Sequence, residues 1–146
     1  MLRVVIVDEN RIFREAFRAE LLHHLPFISI HEAINGQEAM EKIHLLLPSL
    51  IFMDICLPGL NGLQLTNKIK KNYPNLRVAI LTGHDLPEYQ EAAMKSGADT
   101  YLIKDMVKWE GIERLVNSIK QGKSNAELGS VPKKANDVRD LGTGSG

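Results

Sequence analysis

The chain has a single cysteine, Cys56, in 146 residues. That excludes an internal disulfide and fits a reducing compartment, so a cytoplasmic location is expected. Net charge is missing as well: 18 Lys and Arg balance 18 Asp and Glu. No bulk electrostatic case exists for nucleic acid or an anionic membrane as partner. Long apolar runs are absent. The longest stretch, Ile43–Met53, is broken by His44, Pro48 and Ser49 and falls far short of the roughly 20 apolar residues of a membrane span. The opening MLRVVIVDEN meets an acid too early for a secretory signal. What remains, 44% hydrophobic and 25% charged residues, is the composition of an ordinary globular domain. The length suits one domain with a real core.

Short apolar runs alternate with helical patterns. Arg3–Val7 reads as a strand, followed by a helix over Arg11–Leu25 with Ile12, Phe13, Ala16, Phe17 and Leu21 on its apolar face and Pro26 as its stop. Ile28–Ala33 is a weaker strand. Asn35-Gly36 turns into a helix over Gln37–Leu47 with Ala39, Met40, Ile43 and Leu47 inward, and Pro48 leads to strand Leu50–Met53. Residues 57–62 are a loop by composition. A helix over Leu63–Tyr73 ends at Pro74, and strand Val78–Leu81 follows. Asp85, Pro87 and Glu88 predict a helix start with Asp85 as N-cap. That helix runs to Ser96, with Gly97 as its C-cap. Strand Tyr101–Ile103 precedes a last helix over Lys108–Gln121, with Ile112, Leu115, Val116 and Ile119 inward and Gly122 as stop. Five β–α units predict an α/β fold, a doubly wound parallel sheet with helices on both faces. The domain spans residues 1–122. Residues 123–146 hold scattered Gly, Ser, Lys and Asp with four large apolar residues, which reads as a flexible tail or linker stub.

Four strand ends carry polar groups: Asp8 and Glu9, Asp54, Thr82, and Lys104. In open α/β sheets ligands bind outside the carboxyl ends of the strands, so these residues are expected to meet at one edge. Asp54 is the candidate nucleophile, since a carboxylate attacking phosphorus gives an acyl phosphate. Asp8 and Glu9 can recruit Mg²⁺, which takes a few carboxylates with waters and phosphate oxygens. Lys104 adds a positive donor, and Thr82 can hydrogen-bond a phosphoryl oxygen. Taken singly, each has a plainer explanation as a cap, a turn residue or a solvated side chain. The conjunction carries the argument. Other groups fit chemistry less well. His23 and His24 read as a solvated helix end, Cys56 as buried or half-buried filler, and Lys68, Lys70 and Lys71 as a solvated helix face.

These residues resemble the receiver domain of two-component response regulators. The matching pieces are Val-Asp-Glu (7–9), Met-Asp-Ile-Cys-Leu-Pro-Gly (53–59) with Asn61-Gly62, Leu-Thr-Gly-His (81–84), Lys-Ser-Gly-Ala-Asp (95–99) and Tyr-Leu-Ile-Lys-Asp (101–105). The Thr-Gly-His and Lys-Asp variants look most like the subfamily that often carries a helix-turn-helix output domain. The resemblance implies a flavodoxin-like sheet of order 2-1-3-4-5. It implies that Asp54 accepts a phosphoryl group from a sensor histidine kinase or a histidine phosphotransfer protein. Asp8, Glu9, Asp54 and the backbone carbonyl of Cys56 would hold Mg²⁺, and Lys104 would contact the phosphoryl group. Thr82 and Tyr101 would form a switch pair, with the tyrosine ring turning inward as Thr82 moves. Homodimerisation on phosphorylation would follow.

Two departures stand out. The family commonly has Asp where this chain has Glu9, one methylene longer. Mg²⁺ tolerates distorted geometry poorly, so weak binding is expected. Many members also have a cis proline after the lysine. Asp105 stands there instead, and a non-proline cis bond costs about 2.5–4 kcal/mol, so a trans bond is expected. Nothing after Gly122 reads as an output domain. The chain is then either a single-domain receiver or a receiver from a longer regulator, with no DNA binding of its own. The competing functions are an aspartyl-phosphate phosphohydrolase of haloacid-dehalogenase-like chemistry and a phosphorylation-independent scaffold. The hydrolase typically needs a second acid where this chain has Cys56.

Overall fold

A computed structural model describes residues 2–122. The expected tail, residues 123–146, lies outside the described residues. The order is β1 (Leu2–Val7), α1 (Arg11–His24), β2 (Ile28–Ala33), α2 (Gly36–Leu46), β3 (Leu50–Asp54), α3 (Gly62–Asn72), β4 (Arg77–Thr82), α4 (Pro87–Lys95), β5 (Thr100–Ile103), a one-turn 3₁₀ helix (Lys104–Met106) and α5 (Trp109–Lys120). The five strands form one parallel sheet in the order β2-β1-β3-β4-β5. The expected architecture and strand order are those found.

Strand alternation divides the core in two. Val5, Val7, Ile51, Met53, Val78 and Ile80 face one side, where α2, α3 and α4 bring Ala39, Ile43, Leu65, Ile69 and Ala93. Val4, Ile6, Leu50, Phe52, Ala79 and Leu81 face the other, against Phe17 and Leu21 of α1 and Ile112 and Val116 of α5. A sheet buried on both faces explains why its strands read as continuous apolar runs. Three helices start on asparagine: the side chains of Asn10, Asn35 and Asn61 accept from the backbone N–H groups of Phe13, Glu38 and Gln64. Each satisfies a donor that the first helical turn leaves unpaired.

Several local expectations are corrected. Ala16 is exposed, and Ile12 is 79% exposed rather than inward. Ile12 sits in the first turn of α1, and the buried stripe runs instead through Arg14, Phe17 and Leu21, which share a face at helical spacing. Leu47 is also exposed, because it is the left-handed C-cap of α2 (φ 48°) rather than part of its apolar face. Asp85 does not cap α4. The N-cap is Leu86, with no side-chain cap bond, and Pro87 opens the helix. Proline holds the preceding residue extended and suits the first helical position. Cys56 is exposed, projecting between the buried neighbours Ile55 and Leu57. Lys70 is not merely solvated: it donates to the carbonyl of Leu76 (2.8 Å) and to Asp99 (3.0 Å). His24 is stacked on Trp109, with ring centroids 4.4 Å apart, and reaches Glu113 at 3.4 Å. The Lys104–Asp105 bond is trans, like every described peptide bond.

Candidate functional site

The strand order reverses between β1 and β3, and a doubly wound sheet opens a crevice at such a point. Val7 pairs with Met53 across these strands, so Asp8 and Asp54 come next along both. Asp54 pairs with Leu81, and Thr82 with Ile103. Thr82 and Lys104 therefore lie at the same edge, one and two strands further out.

Asp8 is 1% exposed and Asp54 9%. Burial raises the pKa of Asp54 above the ordinary carboxylate value, and the charge of Asp8 adds to the rise. Lys104 and the Cys56 N–H oppose it. The Lys104 ammonium donates to Asp8 Oδ2 at 2.7 Å and stands 3.6 Å from Asp54 Oδ2. The ring of Phe13 lies under it, 4.3 Å from ammonium to centroid, a cation–π contact that helps fix its direction. The Cys56 N–H donates to Asp54 Oδ1 at 3.3 Å.

The loop after β3 is pinned by a close approach. The Gly62 N–H donates to the carbonyl of Ile55 (2.9 Å). A Cβ on Gly62 would fall 2.3 Å from the Asp54 carbonyl oxygen, so α3 can start against the strand end only with glycine there.

Thr82 is fully buried, and its Oγ1 accepts from the His84 N–H at 3.1 Å. The Tyr101 hydroxyl donates to the His84 carbonyl at 3.0 Å. Burial raises the Tyr101 pKa, with Asp85 and Tyr89 adding and a Thr82 hydrogen bond opposing. The tyrosine ring is already buried, so the inward position expected only after phosphorylation is occupied in this structure.

Asp8, Asp54 and Lys104 are thus in mutual contact or close to it, with Thr82 at the same edge. Glu9 is exposed beside them. Among the described residues, no three His, Cys, Asp or Glu side chains converge as a complete ligand set. Two buried carboxylates with open coordination positions still suit Mg²⁺, which binds through one or two carboxylates and keeps waters and phosphate oxygens as other ligands.

The sequence reading missed Arg14, which is buried and donates to the carbonyls of Asp8 (2.8 Å) and Glu9 (3.3 Å). Its spacing from Phe17 and Leu21 was the available signal.

Residues 4–119 match the family model of the response regulator receiver domain. The chain belongs to this family. As a receiver domain it is 32% identical over 105 residues to the transcriptional regulatory protein DegU of Brevibacillus brevis, covering 72% of this chain and 44% of that protein. It is 32% identical over 104 residues to the nitrate/nitrite response regulator NarL of Escherichia coli K12, covering 70% and 48%. The receiver domain thus spans about half the length of these relatives. Among solved structures, a DNA-binding response regulator of the LuxR family from Staphylococcus aureus superimposes with a TM-score of 0.69 at 29% identity, covering 83% of this chain and 98% of that one. No described helix is long and apolar enough to cross a membrane.

Proposed function

We propose that this receiver domain is a phosphorylation-activated switch that takes its phosphoryl group on Asp54. The observation that carries the proposal is the buried Asp8–Asp54 pair bridged by one lysine. Two like charges held side by side are poised to accept positive charge, and burial together with the Asp8 charge makes Asp54 the more basic for attack on an electrophile. One Asp54 carboxylate oxygen attacks the phosphorus of a phosphohistidine. The O–P bond forms, the P–N bond breaks, and the imidazole leaves with its electron pair. Lys104 swings its charge from Asp8 toward the incoming phosphoryl oxygens. Asp8, Asp54 and the carbonyl of Cys56 would hold Mg²⁺, with Glu9 joining through its longer arm. The ion supplies shielding of phosphoryl charge. Thr82 would contact a phosphoryl oxygen through its hydroxyl, giving up its hydrogen bond with Tyr101.

The output would pass through the β4–α4 loop, which Thr82 and Tyr101 both hold at His84. The tyrosine-in state described here is one member of a pair, and phosphorylation shifts the population between them by its differential contacts.

A sensor histidine kinase or histidine phosphotransfer protein is the proposed donor. Exposed Ile12, Leu60, Leu86 and Met106 stand on four of the loops or first turns around Asp54 and offer apolar docking points. Homodimerisation would read the altered surface. The compartment proposed is the cytoplasm, and turnover is limited to self-catalysed transfer and slow autodephosphorylation. The domain proposed is residues 1–122, acting within a longer transcriptional regulator or alone. Residues 1–122 carry 14 Lys and Arg against 15 Asp and Glu, a formal net of −1, so no specific DNA binding is expected from them. The haloacid-dehalogenase-like reading finds no acid at Cys56.

The test is incubation with a small phosphodonor and Mg²⁺, followed by intact mass. One labile phosphoryl adduct is expected on the wild type and none on Asp54→Asn. Multiple turnover of donor would point to a phosphohydrolase, and no adduct to a scaffold.

A further inference from the structure

Arg14 carries a positive charge into the interior, yet no step of the proposed phosphoryl transfer uses it. Its guanidinium has acceptors on two sides. Nε donates to Glu32 Oε1 on β2 at 2.7 Å. Nη1 donates to the carbonyl of Asp8 at 2.8 Å and to that of Glu9 at 3.3 Å. Glu32 is itself held, since Oε2 accepts from Arg18 at 3.4 Å and its carbonyl accepts from Lys42 at 3.0 Å.

Asp8 is held by four hydrogen bonds, of which Arg14 supplies the one to its carbonyl. Its N–H donates to the Ala33 carbonyl (3.0 Å) and its carbonyl accepts from Arg14. Oδ1 accepts from the Asn10 N–H (2.8 Å), and Oδ2 accepts from Lys104 (2.7 Å). A cation this near an acidic pocket would ordinarily compete for its carboxylates. Here Glu32 balances the charge, and the guanidinium is spent on the carbonyls behind the acids. A planar fork can serve Glu32 and two carbonyls at once, whereas a lysine is a single point of charge.

We infer that Arg14, anchored by Glu32, is a positioning residue: it fixes the peptide planes of Asp8 and Glu9 and so sets how tightly the acidic pocket binds a divalent cation. The inference rests on the proposed function, because it assigns Arg14 to the cation site of that same pocket. Partners that orient metal-ligating side chains alter affinity by about 10–100-fold when lost.

The test titrates the full chain with Mn²⁺ as probe, read by electron paramagnetic resonance, beside thermal melts. Arg14→Lys is expected to weaken Mn²⁺ binding about tenfold. Glu32→Gln keeps an acceptor for Nε but removes the balancing charge, and is expected to weaken binding by a smaller factor. Val116→Ala opens the α1/α5 core away from the loop. It is expected to lower the melting temperature and leave Mn²⁺ affinity unchanged. Wild-type affinity in both Arg14→Lys and Glu32→Gln would overturn the inference. So would an equal loss of affinity in Val116→Ala at the same loss of melting temperature. Should Arg14→Lys not fold, Glu32→Gln decides alone, and unchanged affinity there overturns the inference. Absence of saturable Mn²⁺ binding in the wild type would instead defeat the proposed function, and this inference with it.

Discussion

The ammonium of Lys104 lies closer to Asp8 than to Asp54, at 2.7 Å against 3.6 Å. The lysine therefore rests on the acid that would hold the cation and is only near the acid that would be phosphorylated. A cation entering the pocket would compete for Asp8 and release Lys104 toward Asp54. Removing the lysine should leave two buried like charges uncompensated. Lys104→Met is expected to lower stability at neutral pH by about 1.5–3 kcal/mol, the range for a hydrogen bond to a charged group. Added Mg²⁺ should restore part of it. Chemical denaturation with and without Mg²⁺ checks this, and a variant as stable as the wild type in metal-free buffer would contradict it.

Asp54 is held above its ordinary pKa by burial and by Asp8. The folded state then binds the Asp54 proton more tightly than the unfolded chain does. Between the unfolded and folded pKa values, stability falls as pH rises. At neutral pH the ionised carboxylate opposes folding. Asp54→Asn is therefore expected to melt higher than the wild type at pH 7. The gain should shrink as the pH is lowered through the folded pKa and vanish below the unfolded one. A pH series of melts on both proteins measures it, and a gain that grows on acidification would reverse the sign of the argument.

Gly62→Ala should damage the site from the backbone side. The new Cβ would meet the Asp54 carbonyl, which cannot rotate away as a side chain could. Overpacking of this kind costs about 1–3 kcal/mol, and relief by moving α3 would drag the loop that carries the Cys56 N–H. Slower phosphorylation from a small donor is expected together with a lower melting temperature. An alanine variant matching wild type in both would show that the loop yields freely.

How much of this was legible beforehand follows the physics of each signal. Strand ends were readable because apolar runs stop where the sheet edge meets solvent, and that placed Asp8, Asp54, Thr82 and Lys104 together. The sheet order came from the resemblance, not from periodicity. Arg14 was unreadable by residue type, since arginine is rarely buried unless paired, and its partner Glu32 lies on another element. Ile12 and Leu47 misled because an apolar residue at a helix end looks the same in sequence whether it turns in or out. The Leu86 N-cap was masked by a nearby aspartate that seemed the better cap.

Ile12, misjudged as core, yields a prediction of its own. It is 79% exposed two residues after Asn10, on the rim of the proposed acceptor site. Apolar side chains so placed are suited to a protein donor and irrelevant to a small one. Ile12→Asp is expected to slow transfer from a phosphohistidine protein about tenfold, the equivalent of about 1.4 kcal/mol. The rate from a small phosphodonor should be unchanged. Equal slowing with both donors would mean that Ile12 acts on the site itself and not on docking.

Thr82 and Tyr101 share a hydrogen bond and are also joined through one residue. The His84 N–H donates to Thr82 and the His84 carbonyl accepts from Tyr101, so the loop feels any movement of either side chain. A phosphoryl group on Asp54 brings new acceptor oxygens and negative charge. Thr82 can donate to them only by shifting its hydroxyl, and that shift reaches His84 directly. Thr82→Ala removes this link while leaving Asp54, Asp8 and Lys104 in place. Phosphorylation by a small donor should then proceed within about threefold of wild type, a difference under 1 kcal/mol. Hydrogen exchange over residues 84–109 should no longer respond to a phosphoryl mimic at Asp54. A full wild-type exchange response in Thr82→Ala would show that the signal leaves the site by another route, with Lys104 and the 3₁₀ turn after β5 as the next elements to test.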